Sequence, residues 1–253
     1  MPVVTSGAAA RAHLLAAYAE PDAGTRGSGV LMARRGDRRE GSIEVRWATM
    51  AESTIAIGYA GPVRALDAAL LGDSLYLALR PRDLAIAGPV PETEGMGAEG
   101  LRFLARPWDL SAPWVREAMT RAAIDPRDGG WRMTGAFPTP AGEHPFALDL
   151  DAHGDPRRLR VERLDRGGPL VAVRYGPTKS YRGGRLPQWI EWERGEAVIR
   201  LSIDGYARGE PARFRHPPAP DADWTTLSLD DRRARDLIRR YVGEPGAEPE
   251  GAP

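Results

Sequence analysis

The chain has 253 residues, no cysteine, and 35 basic against 35 acidic side chains, for a formal net charge of zero. That balance offers no overall field for nucleic acid or an anionic membrane, and the missing thiols exclude disulfides, thiolate metal sites, thiol nucleophiles and a lipid-modifiable cysteine within this sequence. Lys179 is the only lysine, and the evenly spread arginines reflect coding bias, from which no function follows.

The opening stretch MPVVTSGAAARAHLL lacks a basic segment followed by a long apolar run, so no secretory signal is expected and the sequence reads as cytoplasmic or as a trimmed mature form. No stretch approaches the roughly 18 apolar residues of a membrane-spanning helix. Ser6 can cap a first helix in which Ala10, Leu14, Ala17 and Tyr18 share a face, ended by Pro21 and Gly24. Strands follow closely. Val30–Arg34 turns at Gly36-Asp37 into Ser42–Met50, where Ile43, Val45 and Trp47 alternate with Glu44 and Arg46. Thr54–Tyr59 repeats the alternation with Ile55, Ile57 and Tyr59, and Arg64–Leu71, Ser74–Leu79 and Asp83–Ala87 continue it through Leu75, Leu77, Leu84 and Ile86. The loops are too short for crossovers, so these strands should be antiparallel neighbours.

Pro89–Gly100 reads as a polar, glycine-rich loop, Leu101–Ala105 as a short helical turn, and Ser111 as the cap of a helix ending before Asp125-Pro126. Trp114, Val115, Ala118, Met119 and Ala122 form that helix's apolar stripe. A second strand set runs Trp131–Gly135, Pro145–Asp151, Arg157–Leu164 and Leu170–Tyr175, then LPQWIEWERGEAVIRLSI at 186–203, extended to Ala207. With Arg194-Gly195 as a two-residue turn, this last run folds into a hairpin pairing Ile190 with Ile199 and Trp192 with Ala197 on an apolar face. Trp189 lies opposite Arg200 on the other face as a cation–π pair, beside Glu191, Glu193 and Glu196. Trp224–Leu229 adds a short edge, Asp230 or Asp231 caps a last helix bearing Ala234, Leu237, Ile238 and Tyr241, and residues 243–253 form a disordered tail.

About a dozen antiparallel strands with helices at both ends and in the middle predict one mainly β (α+β) domain over residues 1–242, built on a large curved sheet. Several short motifs carry a resemblance: LGDSLYLALRPRDLAIAG from Leu71 to Gly88, DAHGDPRRLRVERLD from Asp151 to Asp165, LVAVRYGPTKSYRGGRLPQWIEWE from Leu170 to Glu193, and FRHPPAPDADWTTL from Phe214 to Leu227. From the first helix through Leu229 the sequence resembles the LolA/LolB lipoprotein-localisation family. The resemblance implies an antiparallel sheet curled into an incomplete barrel, with helices plugging the concave face over a hydrophobic cavity. It implies an envelope location, in the periplasm or on the periplasmic face of the outer membrane. One departure stands out: where the family often carries an Arg-Pro and a further Arg that helps hold the lid helices, this sequence has Ala48-Thr49-Met50-Ala51-Glu52-Ser53.

The cavity can also be argued from the residues. A curved sheet with an apolar inner face, closed by a helix bearing Trp114 and Met119, suits acyl chains. Its expected lining is Ile43, Val45, Trp47, Ile55, Ile57, Leu75, Leu77, Trp114, Val115, Met119, Leu148, Ile190, Trp192, Ile199 and Leu201. In the resemblance to LolB-type acceptors, the turn after Tyr59 should carry a protruding apolar residue that touches the membrane; in Ala60-Gly61-Pro62-Val63 the sizeable side chain is Val63.

Catalytic readings have less support. His13, His144, His153 and His216 lack metal-ligand spacing, and the pairs Asp149/Asp151 and Glu191/Glu193 alternate with apolar residues, which puts them on the wet face of their strands as solubility charges. No nucleophile elbow, phosphate-binding loop or dinucleotide fingerprint occurs. Arg232, Arg233, Arg235, Arg239 and Arg240, diluted by Asp230, Asp231 and Asp236, read as a solvated helix face rather than a nucleic-acid or headgroup site. The sequence thus predicts a monomeric, non-catalytic protein without metal or cofactor, holding a lipid or lipoprotein acyl chain and making at most peripheral contact with the outer membrane. The alternatives are an enzyme using the same cavity on a hydrophobic small molecule, or a lipid-responsive sensor.

Overall fold

The structure is a computed structural model describing residues 3–18, 24–50, 53–90, 97–110, 112–139, 142–162, 169–182, 184–208, 223–234 and 236. The expected tail, most of the closing segment from Phe214, and Leu237, Ile238 and Tyr241 of the last helix lie outside the described residues. Helix α1 (Gly7–Ala17) leads into six strands: β1 (Thr25–Arg35), β2 (Arg38–Met50), β3 (Ser53–Ala60), β4 (Val63–Leu71), β5 (Ser74–Leu79) and β6 (Leu84–Pro89). Helices α2 (Gly97–Ala105) and α3 (Pro113–Arg121) form the interlude. Then come β7 (Ala123–Arg127), β8 (Gly130–Thr139), β9 (Gly142–Asp151), β10 (Pro156–Glu162), β11 (Pro169–Tyr175), β12 (Thr178–Tyr181), β13 (Gly184–Pro187), β14 (Trp189–Arg194), β15 (Ala197–Arg208) and β16 (Thr225–Ser228).

Fourteen of these strands make one sheet in the order β16-β6-β5-β4-β3-β2-β1-β15-β14-β11-β10-β9-β8-β7, and β12 and β13 pair separately. The sheet does not close into a barrel. Short turns fold β1–β6 into one meander and β7–β11 into another, as alternating hydrophobicity with tight connections requires. The long β1–β15 ladder, running from Thr25 opposite Arg208 to Arg35 opposite Ala197, sews them together.

Several local expectations need correction. The hairpin at 186–203 turns at Gly195-Glu196, because Arg194 opposes Ala197 and Gly195 takes φ +56°, a left-handed conformation that glycine adopts without penalty. Ile190 therefore faces Leu201, and Trp192 faces Ile199. The slip is two positions, so every side chain keeps its face. Leu186 belongs instead to β13. Trp189 opposes Ser202, yet the Arg200 guanidinium still lies 4.3 Å from its ring centroid by reaching diagonally. The residue at the cap of α3 is Ala112, which makes no capping bond, and α2 is a nine-residue helix rather than a turn. Pro126, expected to mark only a helix end, sits in edge strand β7, the position in a sheet where proline is tolerated. The short edge β16 pairs parallel to β6.

Candidate functional site: the concave face of the sheet

Registers assign each side chain to a face. On the flank formed by β8–β11 the concave side carries Met133, Phe137, Phe146, Leu148, Leu159, Val161, Val173 and Tyr175, all buried. Phe137 stacks on Phe146 with ring centroids 4.3 Å apart and meets Phe103 of α2 and Trp114 of α3 edge-on at 5.2 and 5.5 Å. Such pairings add to area burial in holding the rings. Across β1–β4 the same side is lined by small residues: Gly29 opposes Val45, Gly27 opposes Trp47, and Trp47 opposes Ala56, which opposes Ala68. The indole of Trp47 lies over Gly27 so closely that a Cβ there would fall 2.1 Å from its Cζ2 atom.

Over this face sit α1, α2, the loop 106–110 and α3. Ser6 caps α1 as its sequence predicts, its Oγ accepting from the Ala9 N–H at 3.2 Å. The other end of α1 is tied down through its orphan carbonyls: Leu15 accepts from Arg116 at 3.3 Å, Ala17 from Arg208 at 3.4 Å, and Tyr18 from the Leu110 N–H at 3.0 Å. The loop between α2 and α3 plugs the middle of the curve. Trp108 and Leu110 are buried, Trp108 meets Trp47 at 6.2 Å, and Arg106 pairs with Asp109 at 3.2 Å in a buried ion pair. The Tyr175 hydroxyl donates to the Pro107 carbonyl at 3.0 Å, and burial raises its pKa.

At one end of the curve a polar cluster fixes α1. Asp155, 4% exposed, accepts from the Tyr18 hydroxyl at 3.0 Å and from Arg185 at 2.9 Å, and His13 Nε2 lies 3.2 Å from the same oxygen as Tyr18. Burial alone would raise the Asp155 carboxyl. The hydrogen bonds from His13 and Tyr18 and the charge of Arg185 outweigh it and hold the carboxyl below its ordinary range. Tyr18 titrates higher than usual, because of burial first and the Asp155 charge second.

Between roof and sheet remains a cavity of about 10 Å³, room for roughly one water, bounded by Leu14, Tyr18, Phe103, Pro107, Trp108, Leu110, Met119, Leu148, Pro156, Leu159 and Tyr175. Of the expected lining, Met119 and Leu148 touch this space. Val45, Trp47, Val115, Ile190 and Leu201 join the same buried cluster, with Ile43, Trp114 and Trp192 packed against it. Ile199 is half-buried in register with Trp192. Leu75 and Leu77 lie in a second cluster with Leu84, Ile86, Leu227, Leu229 and Ala234. Ile55 and Ile57 are on the opposite face. Ser53 pairs with Met50, which sets Ile55 against Ala48 and Ile57 against Arg46, so the alternation seen in β3 runs out of phase with that in β2. The expected lining does not include Tyr18, Phe103, Trp108 and Tyr175; the apolar Trp108 and Leu110 on either side of Asp109, after Arg106-Pro107, are the one local signal.

The convex face also departs from expectation. Arg132, Asp149, Arg158, Arg174, Glu191 and Arg200 oppose one another in turn, forming a transverse row of charges. Arg132 grips Asp149 through two bonds of 2.6 and 3.0 Å. Glu191 is not a solvated charge but is 5% exposed beneath Arg174, which also reaches Glu193 at 2.6 Å. Asp151 accepts the backbone N–H groups of His153 and Asp155 and pairs with Arg157 at 2.6 Å, holding the β9–β10 turn. Among the described residues no group of three His, Asp or Glu is placed to hold a metal ion, and no helix is long and apolar enough to cross a membrane.

No protein-family profile matches the sequence, and no curated protein does. Solved structures match the architecture. A LolA superfamily protein from Nitrosomonas europaea superposes with a TM-score of 0.54 at 14% identity, over 83% of this chain and 94% of its own. The fold is LolA-like. A domain from Vibrio parahaemolyticus described as outer membrane lipoprotein-sorting gives 0.54 at 11% identity, over 81% and 93% of the two chains. A DUF1329 family protein from Desulfovibrio piger gives 0.54 at 9%, over 85% and 98%. In the LolA-like frame, α1–α3 and the loop 106–110 are the plug of an incomplete barrel, and the residues gathered beneath them are the inner wall.

Proposed function

We propose that this protein binds the acyl chains of a lipid or lipoprotein on the concave face of its sheet, in the bacterial envelope, with no catalytic step of its own. The observation that carries the reading is a strongly apolar inner face roofed by α2, the loop 106–110 and α3, none of which is laddered to a strand. Their polar anchors on the rest of the fold include Arg102 on the Gly72 carbonyl, Tyr175 on the Pro107 carbonyl and Leu110 on the Tyr18 carbonyl. With a cavity of about 10 Å³ the empty site is closed. An acyl chain enters by displacing the apolar side chains of the plug, and each methylene it buries offsets that cost by about 0.8 kcal/mol.

The titratable groups inside are committed to structure: Asp155, His13, Tyr18 and Arg185 to one another, and Tyr175 to a backbone carbonyl. The envelope location draws on the similarity to the LolA superfamily protein and to the lipoprotein-sorting domain. An environment-sensitive fluorescent fatty acid should bind saturably at one-to-one stoichiometry, and native mass spectrometry of the purified chain should detect copurified lipid. The absence of both saturable binding at low micromolar probe and copurified lipid would overturn the proposal.

A further inference from the structure

Two buried polar groups on the thin flank of the concave face have no hydrogen-bond partner among the described residues. Trp47 is 7% exposed and its Nε1–H meets no acceptor there, and the buried Thr54 hydroxyl likewise has no partner there. Both belong to neighbouring rows of one surface. Trp47 opposes Ala56, and Thr54, two residues before Ala56 on the same face, opposes Thr49. Thr49 in turn opposes Thr25 and shares a 2.7 Å hydrogen bond with it, both hydroxyls being buried. Diagonal neighbours in a sheet lie within reach of one another's longer side chains. An otherwise apolar wall therefore carries a polar patch spanning two rows, made of the N–H of an indole that lies over Gly27 and threonine hydroxyls one row along.

An indole nitrogen only donates, so what satisfies it must accept. Leaving such groups unpaired in a dry interior is costly, and native proteins keep few of them. Across β1–β5 the two rows carry no charge: beside the threonines and Trp47 they contain Leu70, Leu75, Gly27, Ala56, Ala68 and Leu77. The cation that ends the threonine row, Arg208 opposite Thr25 on β15, is bonded to the Tyr206 hydroxyl at 3.2 Å and the Ala17 carbonyl at 3.4 Å. Arg102 of α2 is committed to the Gly72 carbonyl and faces Asp73 at 4.0 Å. A carboxylate or phosphate placed against this spot would be desolvated without a counter-charge. A neutral carbonyl would not.

We infer that the concave face recognises the ester or amide carbonyl of a neutral acylated lipid, with Trp47 Nε1–H and the Thr54 hydroxyl donating to it and the hydrocarbon lying along the apolar wall. The inference rests on the acyl-chain reading above and names the ligand class within it. A matched pair tests it: a 1-monoacylglycerol and its 1-O-alkyl ether analogue, identical except for the carbonyl, competing against the fluorescent fatty acid.

The wild-type chain should prefer the acyl compound by about threefold to tenfold, the span of one or two net hydrogen bonds. Trp47→Phe and Thr54→Val should each shrink that preference and leave the affinity for the ether unchanged. In nitrogen-edited spectra the indole N–H resonance that vanishes in Trp47→Phe should move downfield on adding the monoacylglycerol and stay in place with the ether. Thr54→Val, nearly isosteric, keeps the test open if Trp47→Phe does not fold. Equal wild-type affinities, or a preference that survives both substitutions, overturn the carbonyl assignment alone. If the fluorescent fatty acid does not bind and no lipid copurifies, the acyl-chain reading falls and the carbonyl assignment with it.

Discussion

On one flank of the β1–β15 seam the concave face is built from Met133, Phe137, Phe146, Leu159 and Val173; on the other, across β1–β4, Gly27, Gly29, Ala56, Gly58 and Ala68 thin the wall between Leu31, Ile43, Val45, Leu66 and Leu70. The same curvature thus serves two physical ends. Where the wall is thick, aromatic rings interlock with α2 and α3 and the space is consumed by packing. Where it is thin, one large side chain, Trp47, lies over Gly27, and polar groups are left unpaired. Close packing makes the first flank intolerant of change, and small wall residues give the second room for a guest if the plug withdraws.

The contrast can be broken by substitution. Phe137→Ala, which removes three ring contacts, should lower stability by about 4 kcal/mol in denaturant unfolding. A loss comparable to that of an exposed residue would mean that the thick flank is not a core. Asp155→Ala, removing the partner of Tyr18, His13 and Arg185, should cost about 3 kcal/mol, because the buried Tyr18 hydroxyl and the half-buried Arg185 lose their shared acceptor.

The pH dependence follows from the same cluster. Asp155 titrates below its unfolded value, so its contribution is present at neutral pH and lost as pH falls through the folded value, below about pH 4. Tyr18 titrates above its unfolded value, so its contribution holds below about pH 10 and is lost as pH rises further. Asp155→Asn should flatten the acid limb of a stability profile; an unchanged limb would place the acid sensitivity elsewhere.

Gly27→Ala forces the Trp47 indole aside and should cost about 2 kcal/mol, together with a shift in tryptophan emission. A cost matching that of Phe137→Ala would erase the distinction between the flanks. The smallest effect is expected at the rim. Val63, 60% exposed after the Gly61-Pro62 turn, should tolerate glutamate within about 0.5 kcal/mol. Under a membrane-docking role, Val63→Glu should reduce sedimentation with liposomes while leaving lipid already in the site untouched. Unchanged sedimentation leaves Val63 a turn residue.

Much of this was legible in the sequence. The alternation of Ile43, Val45 and Trp47, the tight turns, and the spacing of Leu14 and Tyr18 give the meanders and the first helix, because those patterns are local. The face of β3 was not. Only the pairing of Ser53 with Met50 decides that Ala56 rather than Ile55 points inward, and alternation within a strand is silent about its phase relative to the next. The Asp155 cluster is hidden for a different reason: His13 and Tyr18 at α1 and Arg185 in β13 are far from Asp155 in sequence, and nothing in their own neighbourhoods announces a shared partner. Glu191 looked solvated because its alternation faces outward, yet the long side chain of Arg174 on the adjacent strand folds over it. Trp47 was read as wall, but its unpaired N–H becomes visible only once every possible acceptor has been placed.

The β1–β15 ladder has a consequence for how the chain reaches this state. Each meander grows by hairpins whose partners are close in sequence, but Arg35 meets Ala197 and Thr25 meets Arg208 only after the whole of the second meander has been synthesised. Closing so long a loop costs entropy before any ladder bond repays it, so the seam should be a late and slow event in folding. Until it zips, both halves expose an unpaired edge and a bare apolar face. An unfinished chain is then a sticky one, and during synthesis the late-arriving β15 protects both.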